Sequence, residues 1–289
     1  MSDGSGRLIV RSLLLLLLCG LAPLTPGCRT LEDAGKPDLV LERFLDRQER
    51  RAALLRVLES SGTIEIRQDR DGERSFDDCA LELWRDGDRF ALRLRKLGER
   101  FLWVGSDGDQ WWLFELAADP VKLSVLDSGS TPERTLAPDL LLFGPDQLLM
   151  LAGIQSIDAD PASIKLEDEA GRTLITVPCP GTAGDWTAMT WLVDPVTLLP
   201  SRIQILGRDG NLLLEALLGG YEPIRARDQP VGNWPDFPRK LQVRDADGTI
   251  DLRFYFNQPG ATGDRNRDRL FDLEALMKSF RPGSVEYVR

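Results

Sequence analysis

The segment Asp78–Leu97, DCALELWRDGDRFALRLRKL, decides the fold. Apolar and polar side chains alternate on both sides of the pair Asp86-Gly87, and this period of two is typical of a half-buried β-strand. Asp-Gly between two such runs indicates a tight antiparallel hairpin, because a type I′ turn needs positive φ at both central residues. The segment therefore predicts two antiparallel strands, Asp78–Arg85 and Arg89–Leu97.

The same pattern recurs along most of the chain. Further Asp-Gly pairs stand at Asp71–Gly72, Asp107–Gly108, Asp209–Gly210 and Asp247–Gly248. With the first two strands, they predict two antiparallel meanders. The other strands of the first are Thr63–Gln68, Arg100–Val104, Gln110–Glu115 and Lys122–Leu126; those of the second are Ile164–Glu167, Arg172–Val177, Ala188–Val193, Arg202–Leu206, Leu212–Tyr221, Arg239–Arg244 and Thr249–Phe256. Turns this short exclude an all-parallel α/β sheet, which needs a crossover helix between strands.

Helices are predicted at three places. Apolar residues at helical spacing and a capping Asp38 predict an amphipathic helix over Asp38–Ser60, ended by Gly62. The apolar segment Leu136–Ile157, broken by Gly144-Pro145, predicts two short helices. A last helix is expected within Arg269–Phe280, packed on an outer edge.

The hairpin around Trp103 and Trp112 is apolar on both faces, since Phe101–Val104 and Trp111–Phe114 each hold four successive apolar residues. The N-terminal helix can cover one face. The other needs the Leu136–Ile157 segment or an apolar ligand, and simple burial between helices explains the pattern equally well. The candidate cavity-lining residues are Phe101, Trp103, Trp111, Trp112, Phe114 and Trp191. The candidate lid residues are Leu140, Leu141, Leu142, Phe143, Leu148, Leu149 and Leu151.

The first residues have the pattern of an export signal. Arg7 and Arg11 precede an apolar run of about 12 residues, which suits a signal peptide and is shorter than the roughly 20 residues of a membrane-spanning helix. Leu24-Thr25-Pro26-Gly27-Cys28 resembles the lipobox of bacterial lipoproteins. We expect residues 1–27 to be removed, Cys28 to be lipidated and residues 28–37 to form a tether to one domain, 38–289. Cleavage without lipidation and an uncleaved anchor are the alternatives.

The composition argues against several classes of functional site. The chain contains no histidine and has a net charge of −10. This removes serine or cysteine triads that depend on histidine and most zinc sites, and it disfavours nucleic acid as a partner. No metal site, cofactor or enzymatic activity is expected. Cys79 and Cys179 form a disulfide or remain two buried thiols.

Four local motifs follow one another in the second half of the chain: Trp191-Leu192-Val193-Asp194-Pro195, then Leu199-Pro200-Ser201-Arg202-Ile203, then Asp209-Gly210, then Phe237-Pro238-Arg239-Lys240-Leu241. Together with the order of a leader, a long helix, a meander, an apolar helical interruption and a second meander, they resemble the LolA/LolB superfamily of lipoprotein carriers. The resemblance implies an α+β fold, mostly antiparallel, in which an open half-barrel of about 11–13 strands curves around an apolar cavity under a helical lid.

The same resemblance implies a function without covalent chemistry. We expect a membrane-anchored carrier or acceptor that binds lipoprotein acyl chains or other lipid, facing the periplasm from the outer membrane rather than the inner. The alternative is an envelope sensor or protein-interaction lipoprotein with the same fold, which has other envelope proteins as partners.

Overall fold

The computed structural model describes residues 37–70, 73–127, 144–179, 186–263 and 267–288. The predicted signal peptide, Cys28, most of the tether and the lid candidates Leu140, Leu141, Leu142 and Phe143 lie outside these residues. From Pro37 onward the chain forms one compact unit.

One open sheet dominates the described residues. Its 14 strands run in the order β14-β6-β5-β4-β3-β2-β1-β13-β12-β11-β10-β9-β8-β7. Neighbouring strands are antiparallel except β14, which pairs with β6 in parallel. The elements are α1 Pro37–Leu54, β1 Val57–Arg70, β2 Glu73–Asp86, β3 Arg89–Lys96, β4 Glu99–Ser106, β5 Gln110–Glu115, β6 Lys122–Asp127, α2 Pro145–Leu151, β7 Lys165–Glu169, β8 Arg172–Pro178, β9 Ala188–Val193, β10 Pro200–Leu206, β11 Leu212–Pro223, β12 Asp236–Asp245, β13 Ile250–Gly260, α3 Leu273–Phe280 and β14 Ser284–Val288. The predicted α+β class with an open, mostly antiparallel half-barrel is confirmed.

The hairpins form where Asp-Gly pairs predict them, but the turn type differs. Gly87 and Gly210 have positive φ, whereas the aspartates before them do not. The geometry with two positive φ values instead occurs at Leu97-Gly98 and Ala170-Gly171. Asp-Gly therefore marks the turn through its glycine, while the aspartate keeps an ordinary backbone conformation.

The N-terminal helix is shorter than predicted. It ends at Leu54, and Val57–Ser60 begin β1 instead of completing the helix. Gly62 lies inside that strand and does not end the helix. A Cβ at Gly62 would lie 2.0 Å from the backbone oxygen of Tyr255 on β13, so the glycine permits a close approach of two central strands.

The two faces of the sheet are covered by different helices. The main core contains inward side chains of both meanders together with Phe44 and Leu55 from the α1 region and Leu148 and Leu149 from α2. A separate outer cluster packs Trp103, Trp112, Phe114, Leu123 and Val125 against Leu276 of α3. The two-sided apolar hairpin thus has a protein partner on each face.

The motifs that carry the resemblance form turns and strand entries. Asp194 follows β9, and its Oδ1 accepts hydrogen bonds from the backbone N–H groups of Val196 (3.0 Å) and Thr197 (2.7 Å). These bonds, led by the one from the Thr197 backbone, lower the pKa of Asp194. Pro200 opens β10, and Phe237 near the start of β12 packs edge-on against Phe256 at 5.2 Å. The motifs therefore indicate the fold of this sheet more directly than they indicate a ligand.

Candidate functional site

The candidate site is the inner face of the half-barrel where α1 and α2 cover it. Phe44 of α1 is fully buried and meets Trp191 of β9 edge-on, with ring centroids 5.8 Å apart. In α2, Leu148, Leu149 and Leu151 are 4%, 3% and 0% exposed. The lid candidates within the described residues therefore cover the inner face and expose almost no apolar surface to water.

Polar contacts hold the segment after α2 against the rest of the fold. Gln48 of α1 donates through Nε2 to the carbonyl oxygens of Gly153 (2.8 Å) and Gln155 (2.7 Å). Arg85 of β2 donates through Nη1 to the carbonyl oxygen of Ile154 (3.2 Å). Because an irregular segment must satisfy its backbone carbonyls, two side chains from other elements fix its position.

A cleft of about 730 Å³ opens at the edge of this cover, between α1, the segment after α2 and strands β8 and β9. Its apolar wall is formed by Ala52, Met150, Ile157, Val177 and Met189. Its polar rim includes Glu49, Arg56, Arg85, Asp88 and Asp158. An apolar wall with a charged rim suits a chain-like ligand with a polar end, and methionines adapt readily to irregular shapes.

The six aromatic cavity candidates do not share one space. Phe101, Trp111 and Trp191 lie in or against the main core. Trp103, Trp112 and Phe114 lie on the opposite face under α3, where Phe280 approaches Phe114 with ring centroids 5.1 Å apart. One cavity therefore does not hold all six, since neighbours on one strand, such as Trp111 and Trp112 of β5, point to opposite faces.

Cys79 lies on β2 in the main core, and Cys179 directly follows β8 and packs against that core. Cys79 of β2 is buried with a free thiol, which corresponds to the thiol alternative rather than to a disulfide with Cys179. Burial raises the pKa of the Cys79 thiol to about 11 and also raises that of Cys179, which lines the cleft. Both thiols therefore stay protonated near neutral pH.

Two further properties of the described residues bear on the site. None of the helices in this part of the chain is long and apolar enough to cross a membrane. Within the same residues, no group of three or more acidic or cysteine side chains is placed to hold a metal ion.

Several features of the site were not predicted from the sequence. Gln48 lies among charged residues on α1, and its helical spacing from Phe44 and Leu55 is the signal that separates it from them. Met150 and Met189 look like ordinary apolar positions of a helix and a strand. Their role follows from contacts between elements distant in sequence, although buried Gln48 on an otherwise apolar helix stripe is a signal that helical spacing could have supplied.

Comparison with solved structures identifies the type of fold. The chain is similar to a putative outer-membrane lipoprotein-sorting protein domain from Vibrio parahaemolyticus, with 13% identity, a TM-score of 0.51 and coverage of 85% of this chain and 99% of that one. A LolA superfamily protein from Nitrosomonas europaea gives 11% identity, a TM-score of 0.51 and coverage of 82% and 98%. A DUF1329 family protein from Desulfovibrio piger gives 14% identity, a TM-score of 0.54 and coverage of 82% of this chain and 98% of that one. The chain therefore has a LolA-like fold.

Comparisons at the level of sequence find no such relative. No protein-family profile matches the chain, and no curated protein matches it.

Proposed function

We propose that this protein is a membrane-anchored carrier or acceptor of lipid or lipoprotein acyl chains, working in the bacterial envelope without enzymatic chemistry. Lipid on Cys28 tethers it to a membrane, the outer one in preference to the inner. The acyl chain enters between the inner face of the half-barrel and the cover formed by α1 and α2.

The observation that carries this proposal is the cleft at the edge of that cover. Its volume of about 730 Å³ lies in the range of about 300–1,000 Å³ typical of small-molecule sites. Met150 and Met189 form part of its wall, and the cleft adjoins the segment fixed by Gln48 and Arg85. A chain entering there reaches the main core if the α2 segment moves.

The energies of opening and binding are comparable. Exposing the three buried leucines of α2 costs roughly 5–9 kcal/mol, at about 1.5–3 kcal/mol each. An acyl chain of about 14 CH₂ groups gains roughly 11 kcal/mol on leaving water, at about 0.8 kcal/mol per group. A bound chain can therefore offset the displacement of α2, whereas in water the cover stays closed.

Binding of a fluorescent acyl probe to the cleft tests the proposal. Mature protein beginning at residue 29, without an anchor, is titrated with dansyl-undecanoic acid, and its organic extract is analysed by mass spectrometry for co-purified lipid. We expect saturable binding, weakened at least about tenfold by Met150→Asp or Ile157→Asp, since a carboxylate placed against the chain is costly to desolvate.

Val196→Asp is the matched control, because Val196 is 82% exposed in the turn between β9 and β10. Equal probe affinity in wild type, Met150→Asp and Ile157→Asp would exclude this cleft. Absence of both probe binding and co-purified lipid, together with a stable complex with another envelope protein, would favour the interaction-protein alternative.

The tether is tested separately. Full-length protein extracted from membranes should carry the mass of acyl groups on a peptide beginning at Cys28, and Cys28→Ser should release the protein from the membrane fraction. An unmodified Cys28 in the membrane-extracted protein would refute the lipid anchor.

A further inference from the structure

A second pocket lies along the other flank of α1. It has a volume of about 770 Å³, and its far wall is formed by the loop that carries Gln229, Asn233 and Trp234. Ala53 belongs to the walls of both this pocket and the acyl-chain cleft, so the two spaces adjoin the same turn of helix. We call it the arginine pocket.

The helix side of the arginine pocket is strongly basic. Arg43, Arg47, Arg50 and Arg51 contribute to the wall, and Asp46 and Asp236 are its acidic residues. Four arginines against two aspartates leave two positive charges in excess. Moreover, Asp236 is already bound to Arg47, with 2.9 Å between Oδ2 and Nη2. On a protein with net charge −10, this concentration of positive charge is a local exception.

Arg51 is the unusual member of the group. It is 4% exposed, and its Nε and Nη2 have no hydrogen-bond partner among the described residues. Nη1 donates to the side-chain oxygen of Gln48 at 3.3 Å, and the guanidinium lies 5.4 Å from the centre of the Tyr221 ring, whose hydroxyl also hydrogen-bonds with it. Burial lowers the pKa of Arg51, while the neighbouring Tyr221 has a pKa raised to about 12 and is neutral.

A buried cation normally has a hydrogen-bonded anion, because desolvation of an unpaired charge is expensive. Guanidinium groups bind phosphate oxygens through paired N–H donors, and several arginines around one pocket match the charge of a phosphate group. We propose that the arginine pocket is a binding site for a phosphate group, with Arg51 as its innermost ligand and Arg43, Arg47 and Arg50 at its mouth. The phosphate comes either from an anionic lipid head group or from a free phosphate ion. The inference does not depend on acyl-chain binding in the cleft.

Isothermal titration calorimetry with three probes tests the site on the mature chain from residue 29. The probes are inorganic phosphate, monomeric dihexanoyl-phosphatidylglycerol and, as a zwitterionic control, dihexanoyl-phosphatidylcholine. Saturable binding of inorganic phosphate supports a site for the free ion. Binding of phosphatidylglycerol without binding of phosphate supports a lipid head-group site. No binding of either probe overturns the proposal.

Variants locate the binding. Arg51→Met should weaken binding at least about tenfold, since it removes charge-assisted hydrogen bonds from a desolvated site. In the absence of ligand its melting temperature should be unchanged or higher, because the substitution removes an unpaired buried charge. A purely structural Arg51 predicts a lower melting temperature and unchanged binding, and that result would refute the proposal.

Surface variants keep the test valid if Arg51→Met does not fold. The double variant Arg43→Gln/Arg50→Gln changes exposed residues at the mouth and should weaken binding about three- to tenfold. Arg74→Gln, at an exposed position on β2, makes the same kind of charge change away from the pocket and should have no effect. Equal binding by the double variant and wild type would exclude the arginine pocket.

Discussion

At the scale of single residues, Leu97 carries an avoidable backbone cost. It occupies the β3–β4 turn with φ of 53°, and its side chain is 98% exposed. The left-handed conformation costs a residue such as leucine roughly 1 kcal/mol, whereas asparagine tolerates it. Leu97→Asn should therefore raise the free energy of unfolding by about 0.5–1 kcal/mol, measured by urea denaturation. Val196→Asn, which exchanges an exposed apolar residue without positive φ, is the control and should change little.

Cys79 makes stability depend on pH in the alkaline range. Its pKa rises from 9.0 to about 11 through burial, so between these values the folded state holds a proton that the unfolded state loses. The free energy of unfolding is therefore not reduced by this thiol below pH 9. It falls by about 2–3 kcal/mol as the pH rises towards 11, at about 1.36 kcal/mol per pH unit.

The measurement compares Cys179→Ala with Cys79→Ala/Cys179→Ala, so that Cys79 is the sole difference. The free energy of unfolding between pH 8 and pH 10.5 should fall more steeply in the variant that retains Cys79. Parallel pH profiles of the two proteins would contradict the assignment.

At the scale of elements, Gln48 connects α1 to the segment after α2. Gln48→Met keeps the volume of the side chain but removes both donated bonds, leaving the carbonyls of Gly153 and Gln155 without this donor. The loss should cost about 1–3 kcal/mol, and amide hydrogen exchange should accelerate in α2 and the residues after it more than in α3. Glu49→Met, at the exposed neighbouring position, should leave the exchange unchanged. Uniform acceleration over the whole chain would show that Gln48 does not hold this segment specifically.

The C-terminal helix should act as a structural cover for the outer aromatic cluster. Leu276 is 6% exposed and packs with Trp103, Trp112 and Phe114. Leu276→Ala should reduce the free energy of unfolding by about 2–4 kcal/mol through lost burial and a residual cavity. Acyl-probe affinity should stay unchanged, because this cluster lies on the face opposite the cleft. A loss of probe binding with little loss of stability would instead assign these aromatics to the ligand site.

The elements also show which parts of the fold can be inferred from sequence. Alternation and glycine turns locate the hairpins because both are local effects of backbone conformation. The position where α1 ends is not determined by local sequence. The spacing of Val57–Ser60 suits a helix, but these residues form a strand because they pair with β2 and β13. Strand β14 was not predicted, because its parallel partner β6 lies far away in sequence. The cleft and the contacts of Gln48 depend on similarly distant residues, whereas the two apolar faces of the hairpin follow from the local runs Phe101–Val104 and Trp111–Phe114.

At the scale of the whole molecule, the two meanders form one continuous sheet. The junction is β1, which pairs with β2 of the first meander on one side and with β13 of the second on the other. One main core contains residues from both halves, including Leu92 and Leu113 from the first and Ile203 and Val243 from the second. A shared core and a continuous hydrogen-bonded ladder should make the halves unfold together.

Gly62 provides a test of this cooperativity, because it lies on β1 at the junction. A Cβ there would lie 2.0 Å from the Tyr255 oxygen, and a backbone atom cannot move aside as a flexible side chain can. Gly62→Ala should therefore cost about 3 kcal/mol or more through overpacking. Gly219→Ala on β11 is the matched control, since its Cβ would meet no atom within 4 Å. In Gly62→Ala, hydrogen exchange monitored by mass spectrometry should show peptides from β2–β5 and from β8–β11 losing protection at the same urea concentration. If the two sets of peptides separate, the halves are independent units, and the sheet transmits no coupling between the α1 cover and the α3 cover.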